Sequence, residues 1–169
     1  MMGAGKTAIG RALAHLLDVQ FRDSDAEIEA AAAMSIAEIF ERDGEAFFRD
    51  RETEVIDRLL DDRPAILSVG GGAFLSERNR ALIAAKGVAI WLNADLDLLW
   101  SRVKHKDTRP LLRTPDPYAS LSAIYAARVP VYRLAEIAVD AHAEYSIETM
   151  AEKVCEALCR HKGILEKAA

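Results

Sequence analysis

The sequence has only two cysteines, too few for the disulfide framework of a small secreted domain. It has no apolar run near the roughly 18 residues that a membrane span requires, and no secretory signal pattern at its start. The formal net charge is −5, which disfavours a nucleic-acid-binding protein. We therefore expect a cytoplasmic protein that binds neither nucleic acid nor a membrane.

The residues that are present suit one globular domain. The chain has 169 residues, of which 51% are hydrophobic and 29% charged, so it can bury a full core. Its four histidines follow no metal-ligand spacing, and we assign none of them a catalytic role. Cys155 and Cys159 lie four residues apart on the predicted last helix, and we interpret them as reduced core thiols.

Gly3-Ala4-Gly5-Lys6-Thr7 precedes a helix-forming run at residues 8–17 and matches the second half of a phosphate-binding loop, G-x-x-x-x-G-K-[ST]. Glycines let backbone N–H groups approach phosphate oxygens, and the helix N-terminus adds positive partial charge. In this pattern, the lysine reaches the β- and γ-phosphates and the threonine hydroxyl binds Mg²⁺. The stretch therefore predicts a nucleotide site.

The first glycine of this pattern would stand one place before Met1, and the strand that feeds such a loop would precede it. In an open α/β sheet this strand lies in the middle, so its neighbours would each lose a ladder partner. We expect that roughly ten or more residues belong upstream, judged from ordinary strand lengths.

Strands alternate with helices along the rest of the chain. Residues 65–69 and 88–92 are apolar runs typical of buried parallel strands, and shorter strands are predicted at 19–22 and 136–140. A capping box at Ser35 and Glu38 begins a short helix through about Arg42, Asp43-Gly44 turns the chain, and a longer helix follows over residues 45–60. Ser76 caps the next helix, which Gly87 ends. This order predicts a parallel sheet covered by helices on both faces.

Charged residues and glycines follow the predicted strand ends, where open α/β sheets bind ligands. Asp23 and Asp25 are two residues apart at the end of the first predicted strand, so we expect both carboxylates to point the same way. Gly70, Gly71 and Gly72 follow the next strand, and three glycines indicate that backbone N–H groups approach a ligand. Arg49 and Glu52 lie three apart on a helix, close enough to pair.

The segment at about 104–117 breaks every periodicity and is rich in basic residues. So long a polar insertion in a compact domain is usually functional or disordered. In a phosphoryl-transfer enzyme it would be a lid that excludes water, with Arg109 directed at phosphate. Arg128 follows on the next helix, just before Pro130.

Together these residues resemble the shikimate kinase family, small P-loop kinases of the nucleoside-monophosphate-kinase structural group. The resemblance runs from Met1 to about Leu158. Its matching pieces, in the family's order and spacing, are Gly3-Ala4-Gly5-Lys6-Thr7, Asp23-Ser24-Asp25 with Glu27-Ile28-Glu29, Ile36-Ala37-Glu38-Ile39-Phe40, Phe48-Arg49 with Glu52, Gly70-Gly71-Gly72, Arg109-Pro110-Leu111-Leu112, and Arg128 through Tyr132. Ala8 departs from the pattern, because many members have a second hydroxyl residue there.

The resemblance implies a single three-layer α/β/α P-loop kinase domain over residues 1–169, with a central parallel sheet, a lid at about 104–117 and a substrate-binding helical region at about 25–60. The implied reaction is ATP-dependent phosphorylation of the 3-hydroxyl of shikimate in chorismate and aromatic amino acid biosynthesis, with Mg²⁺ as cofactor, by a monomer.

The resemblance also implies a role for each matching residue. Shikimate would be held by Asp25, Arg49, Arg128 and the backbone of Gly70, Gly71 and Gly72. Nucleotide would be held by Gly3, Ala4, Gly5, Lys6, Thr7, Ala8, Arg102 and Arg109. Catalytic roles fall to Lys6, Asp25 and Arg109. Mg²⁺ would be held by Thr7 and, through its water shell, by Asp23, with Ser68 at the corresponding end of the next strand.

Two alternatives remain open from the sequence. A related small-molecule kinase such as a gluconate kinase would share the phosphate loop and the lid. A nucleotide-binding or regulatory module without turnover would share only the loop. The combination of Asp23 and Asp25 with Arg49, the three glycines and Arg128 favours the shikimate kinase interpretation over both.

Overall fold

The computed structural model describes residues 1–105 and 110–161, and it follows the predicted alternation of strands and helices. The strands are β1 (Gln20–Asp23), β2 (Ala65–Ser68), β3 (Ile90–Asn93) and β4 (Ile137–Asp140). The α-helices are α1 (Lys6–Leu16), α2 (Ser24–Ala32), α3 (Ile36–Leu60), α4 (Glu77–Lys86), α5 (Leu96–Val103), α6 (Pro117–Tyr132) and α7 (Ile147–Arg160), with 3₁₀ turns at Ala73–Leu75 and Pro110–Leu112.

Helix starts are set by local side-chain chemistry. The Ser35 hydroxyl accepts from the Glu38 N–H, and the Glu38 carboxylate accepts from the Ser35 N–H, which forms the predicted capping box of α3. The Ser76 hydroxyl caps α4 by accepting from the Asn79 N–H, and Gly87 ends that helix, as predicted. Each cap satisfies N–H groups that a helix start leaves without an intrahelical partner.

Helix α3 contains a sharp kink at Gly44, the residue that the sequence predicts as a turn. Its φ of 82° and ψ of 172° are not helical, and they belong to a region that side chains strongly disfavour. The two parts of α3 therefore run in different directions. The second part carries Arg49 and Glu52 toward the ends of the strands.

The four strands are parallel, as predicted, and they form two pairs whose inner strands each lack the ladder partner that the sequence analysis expects between them. β1 pairs with β2, and β3 pairs with β4. No strand of the described residues lies between β2 and β3, and the space there is part of a cavity of about 700 Å³, which we call the inter-sheet slot. The apolar residues of both inner strands are mostly half-buried, because they line the slot.

The main core joins the two strand pairs. Helix α1 packs on β1, β2 and α7, and α7 packs on β4. Buried Ile9 and Leu13 of α1 belong to the same apolar cluster as Val139 of β4 and Val154 of α7. Because this cluster includes residues from both pairs, the α1–α7 contact holds the halves of the molecule together across the slot.

The two cysteines can be compared with their predicted places in the core. Cys155 and Cys159 are both free thiols, but only Cys155 is half-buried and Cys159 is exposed, so the expectation of two core thiols was wrong for Cys159. The last turn of α7 leaves that position facing outward. Across residues 1–105 and 110–161, the helices are all too short or too polar to traverse a bilayer.

Candidate active site

The phosphate loop (residues 3–7) has the backbone that an anion site needs. Gly3 and Gly5 have φ values of 77° and 87°, which only glycine adopts without strain. Gly5 is the N-cap of α1 and has no side chain to cap the helix, so N–H groups of the first turn remain available to phosphate. A Cβ on Gly3 would also lie 2.9 Å from Cγ1 of Val103, so close packing on α5 excludes a side chain there.

The predicted nucleotide residues surround this loop. Lys6 is half-buried, and its Nζ donates to the Met1 carbonyl at 3.2 Å. Thr7 and Ala8 are exposed on the first turn of α1, where a ligand can reach them. Arg102 reaches across from α5, and its Nη1 donates to the Gly3 carbonyl at 3.2 Å. The structure therefore places Arg102 beside the loop.

The triple-glycine loop (Gly70, Gly71 and Gly72) follows β2, and each glycine faces a different charged side chain. A Cβ added to Gly70 would lie 2.7 Å from Oδ1 of Asp25, and one on Gly72 would lie 2.7 Å from Nη2 of Arg49. A Cβ on Gly71 would lie 3.3 Å from Nη1 of Arg128. The sequence predicted that these glycines admit a ligand, and the structure shows that they also admit the three side chains proposed to bind it.

Asp25 reaches the loop from the first turn of α2. The carboxylate of Asp23 accepts from the N–H groups of Asp25 and Ala26, which makes it the N-cap of α2. The sequence argument that both carboxylates point the same way assumed extended backbone, but the strand ends at Asp23 and the helix begins at Ser24, so Asp25 lies on α2. They are nevertheless neighbours, since burial and then the charge of Asp23 raise the pKa of Asp25.

Two serines connect the strand ends beneath this site. Ser24 is fully buried, and its hydroxyl accepts from the Gly70 N–H at 3.4 Å. Asp23 pairs in register with Ser68, as predicted from their positions at corresponding strand ends. Ser24 was assigned no role from the sequence, although its place between Asp23 and Asp25 was a signal that it lies under the site. These contacts fix α2 relative to the triple-glycine loop.

Arg49 is held by a buried carboxylate. Its Nη1 lies 2.8 Å from Oε2 of Glu52, and its Nη2 lies 3.2 Å from Oε1 of the exposed Glu45. Glu52 is only 1% exposed, and burial raises its pKa while the Arg49 charge opposes that shift. The predicted Arg49–Glu52 pair is therefore present. It turns the guanidinium toward Gly72.

Tyr132 completes the site from α6, one turn after Arg128. Its hydroxyl donates to the Gly71 carbonyl, and its ring centroid lies 6.4 Å from that of Trp91. Burial raises the pKa of Tyr132, which keeps the hydroxyl protonated as a donor. Tyr132 stands in the matched segment from Arg128 onward, but the sequence assigned it no function.

The predicted lid is described in part. Arg109 lies outside the described residues, so its predicted roles in catalysis and nucleotide binding stay predictions. On either side of the lid, Trp100 of α5 contacts Tyr118 of α6 edge to face, with ring centroids 5.4 Å apart. Asp116 caps α6 by accepting from the Ala119 N–H at 2.9 Å. The segment at about 104–117 therefore connects two helices that contact each other.

Comparison with known proteins gives a consistent result. A sequence model of the shikimate kinase family matches residues 2–159. The chain is 64% identical, over 98% of its length and 85% of the relative's, to the shikimate kinase of Ruegeria pomeroyi.

Comparison with solved structures points to the same family. The shikimate kinase of Acinetobacter baumannii in complex with shikimate superposes with a TM-score of 0.87 at 35% identity, over 95% of this chain and 90% of that one. The Aquifex aeolicus shikimate kinase gives 0.81 at 28% identity, over 94% and 92%. The predicted α/β P-loop kinase fold is confirmed, and the chain belongs to the shikimate kinase family.

Proposed function

We propose that this protein is a shikimate kinase, which transfers the γ-phosphoryl group of ATP to the 3-hydroxyl of shikimate and releases shikimate 3-phosphate and ADP. Family membership supports the activity, as does a relative solved in complex with shikimate. The observation that carries the proposal is the triple-glycine loop, which faces Asp25, Arg128 and Arg49 at once. A carboxylate beside two guanidiniums suits a substrate with both hydroxyl groups and a carboxylate.

Arg49 and Arg128 bind the carboxylate of shikimate in this proposal. Guanidinium groups present planar pairs of donors that match a carboxylate, and such charge-assisted bonds are about twice as strong as neutral ones. Glu52 keeps Arg49 in place beside Gly72. The N–H groups of the triple-glycine loop supply further donors.

Asp25 accepts hydrogen bonds from ring hydroxyls of shikimate. Its raised pKa makes it a somewhat stronger base than an ordinary carboxylate, which also suits it to orient or deprotonate the attacking 3-hydroxyl. Phosphoryl transfer depends mainly on positioning and charge neutralisation, so binding ranks first among its roles. The 3-hydroxyl oxygen forms a bond to the γ-phosphorus and passes its proton to the Asp25 carboxylate, while the bond from that phosphorus to the β–γ bridging oxygen breaks and ADP leaves.

The nucleotide lies on the phosphate loop. Gly3, Ala4, Gly5 and the first turn of α1 supply backbone donors, while Lys6 reaches the terminal phosphates. Thr7 and Ala8 contact phosphate from their exposed positions, and Arg102 approaches from α5. Arg109 of the lid neutralises charge on the transferring group. Residues 1–169 form one domain with a lid at about 104–117 and a substrate region at about 25–60.

Mg²⁺ is the cofactor in this proposal, and the donor set fits it. Thr7 offers a hydroxyl and Asp23 a carboxylate, which are hard oxygen ligands. The described residues contain no group of three or more His, Cys, Asp or Glu that could hold a metal alone. Mg²⁺ can bind through few protein oxygens, since it takes most of its ligands from phosphates and water. When bound, it neutralises charge on the β- and γ-phosphates.

The protein acts as a cytoplasmic monomer in this proposal. The excess of acidic over basic residues supports the absence of a nucleic-acid partner, because phosphate backbones are bound by basic surfaces. Sedimentation at micromolar concentration tests the monomer, and a concentration-dependent rise in mass would contradict it.

A coupled ADP-release assay with MgATP tests the activity, with shikimate and gluconate compared as acceptors. We expect turnover with shikimate and none above background with gluconate, because gluconate lacks the rigid ring that places a hydroxyl opposite Asp25. Turnover with gluconate alone would make the protein a different small-molecule kinase. Stabilisation by ATP without turnover on either acceptor would make it a nucleotide-binding module.

A further inference from the structure

Asn79 is a fully buried polar side chain that joins two elements of the substrate site. It lies on α4, and its relative exposure is 0%. Its Nδ2 donates to the Ala73 carbonyl at 2.9 Å, and its Oδ1 accepts from the hydroxyl of Thr53 on α3 at 2.7 Å. Both ends of the amide therefore have a partner, as a buried polar group requires. Through this amide, which we call the Asn79 bridge, α3 is tied to the turn that follows the triple-glycine loop.

Both partners of the Asn79 bridge are next to groups that face the substrate. Thr53 lies one turn after Arg49 on α3, and its hydroxyl is also 3.0 Å from the Arg49 carbonyl. Ala73 follows Gly72, where an added Cβ would lie only 2.7 Å from Nη2 of Arg49. The bridge therefore runs from the backbone of Arg49 to the residue beside the glycine that the Arg49 side chain meets.

The turn at the far end of the Asn79 bridge is firmly joined to its neighbours. The Ala73 N–H donates to the Gly70 carbonyl at 3.0 Å, so the 3₁₀ turn continues directly from the triple-glycine loop. Arg80, the residue after Asn79 on α4, donates to the Leu75 carbonyl at 2.8 Å. Because these bonds leave little slack, a shift of α3 relative to α4 would change the place of the loop.

We propose that Asn79 and Thr53 are positioning residues for substrate recognition, which set the distance between the Arg49 guanidinium and the triple-glycine loop. This inference rests on the proposed function, in which Arg49 and the loop donate to the same substrate. Donors on separate elements hold one ligand only if their geometry is kept to within about 0.5 Å. Glu52 orients the Arg49 side chain, whereas the Asn79 bridge fixes the helix that carries it.

Thr53→Val tests the bridge, because valine has the shape of threonine without its hydroxyl. The Asn79 Oδ1 then loses its buried donor, so we expect the KM for shikimate to rise about tenfold while the KM for ATP stays the same. Thr53→Ser keeps the hydroxyl and should restore the KM of the parent protein. Ile56→Val is the matched control, because Ile56 is fully buried on the same helix and its truncation weakens the core without touching the bridge.

A double-mutant cycle with Gly72→Ala separates positioning from a general loss of stability. Gly72→Ala displaces the Arg49 guanidinium directly, so Thr53→Val has little left to disturb in that background. We expect the double variant to raise the KM for shikimate about tenfold, as each single change does, whereas independent effects would multiply to about a hundredfold. Multiplied effects would overturn the proposal, as would a KM in Ile56→Val equal to that in Thr53→Val.

An NMR measurement keeps this test separate from that of the proposed function. The Arg49 Nε–H donates to Glu45 at 3.3 Å, and its resonance, assigned by its loss in Arg49→Lys, reports the place of the guanidinium without substrate. We expect Thr53→Val to shift this resonance and Ile56→Val to leave it unchanged. An unchanged resonance in Thr53→Val would overturn the positioning role even in an active enzyme. A shifted resonance in a protein that does not turn over shikimate would overturn the proposed function alone.

Discussion

At Asp25, substrate binding and stability oppose each other. Burial and the neighbouring Asp23 raise its pKa, so the folded state holds a proton on this carboxyl more tightly than the unfolded chain does. Stability from this group is therefore present below its unfolded pKa and is lost as pH rises through the folded value. At neutral pH the folded state is destabilised by the full free energy of keeping a charged carboxylate partly buried.

Asp25→Asn should therefore raise the midpoint of thermal unfolding at pH 7, and this gain should shrink as the pH falls through the raised pKa of folded Asp25 and be gone below about 4, where the carboxyl is protonated in the folded and the unfolded chain alike. The same change should raise the KM for shikimate by about ten- to a hundredfold, because a charge-assisted hydrogen bond contributes about 1.5–3 kcal/mol. Asp50→Asn, at an exposed position on α3, is the control. A lower midpoint in Asp25→Asn would show that the carboxylate stabilises the fold.

Gly72 is expected to control where Arg49 lies. In Gly72→Ala, the new Cβ would start 2.7 Å from Nη2 and 2.9 Å from Nη1 of Arg49, so the flexible guanidinium must move away. We expect the KM for shikimate to rise about tenfold, equivalent to about 1.4 kcal/mol, while the KM for ATP stays the same.

Gly87→Ala is the matched control for that change. Its Cβ would meet Leu60 Cδ2 at 3.5 Å and the Ile83 carbonyl at 3.6 Å, which are ordinary contacts. We expect both KM values to stay at those of the parent protein. If the two alanine variants behaved alike, the Gly72 face would have no part in placing Arg49.

Tyr132→Phe removes one hydroxyl and keeps the ring that packs near Trp91. The Gly71 carbonyl then loses its donor, at a cost of about 1–3 kcal/mol, and the triple-glycine loop loses its link to α6. Steady-state kinetics should show a higher KM for shikimate with little change in the KM for ATP. Tyr145→Phe, whose ring packs edge to face with His142, controls for loss of a hydroxyl. Equal effects on both substrates would contradict a role specific to the loop.

At the scale of elements, the kink of α3 depends on one residue. A Cβ on Gly44 would meet no heavy atom within 4 Å, but its φ of +82° is strained for any side chain. We expect Gly44→Ala to lower the free energy of unfolding by about 1–3 kcal/mol through backbone strain alone. Denaturant titration measures the loss, and a stability equal to that of Gly87→Ala would show that α3 straightens without cost.

Elements were predictable where a few neighbouring residues decide them. Ser35 with Glu38, and Ser76, specify helix starts through bonds within one turn, so the sequence located them to the residue. Side-chain alternation along a strand does not hold beyond Asp23, because the Asp23 side chain caps α2 and the helix begins at Ser24. A cap and a strand end compete for the same residue, and local pattern alone does not decide between them.

The site was predictable as a set of residues but not as a set of contacts. Asp25, Arg49 and Arg128 were chosen from their places in a matched pattern. Their one-to-one meeting with three successive glycines depends on α2, α3 and α6 converging on a single loop. That convergence is non-local, and so is the bond from Tyr132 to Gly71, which joins residues 61 positions apart in the chain.

At the scale of the whole molecule, the site spans both strand pairs. Asp25, Arg49 and the triple-glycine loop belong to the half with β1 and β2, whereas Arg128 and Tyr132 lie on α6, which leads into β4. Shikimate held by Arg49 and Arg128 would touch both halves. Both tryptophans, Trp91 and Trp100, lie in the second half, so their fluorescence reports on it separately.

We expect thermal unfolding followed by tryptophan fluorescence and by hydrogen exchange in β1 and β2 to give different midpoints without ligand. Saturating shikimate should raise both midpoints and bring them together, because a ligand that contacts both halves stabilises them jointly. Gluconate serves as the control. Midpoints that coincide without ligand would show that the α1–α7 contact already makes the halves one cooperative unit.

The hydrogen bond from Tyr132 to Gly71 also bears on how long the protein survives in a cell. When the substrate site is empty, this bond, the α1–α7 contact and the bond from Arg102 to the Gly3 carbonyl are among the connections that resist separation of the halves. Proteases cleave chains that open transiently, at rates set by the population of the open form. Degradation should therefore slow as shikimate accumulates, so that the supply of substrate sets the amount of enzyme as well as its rate.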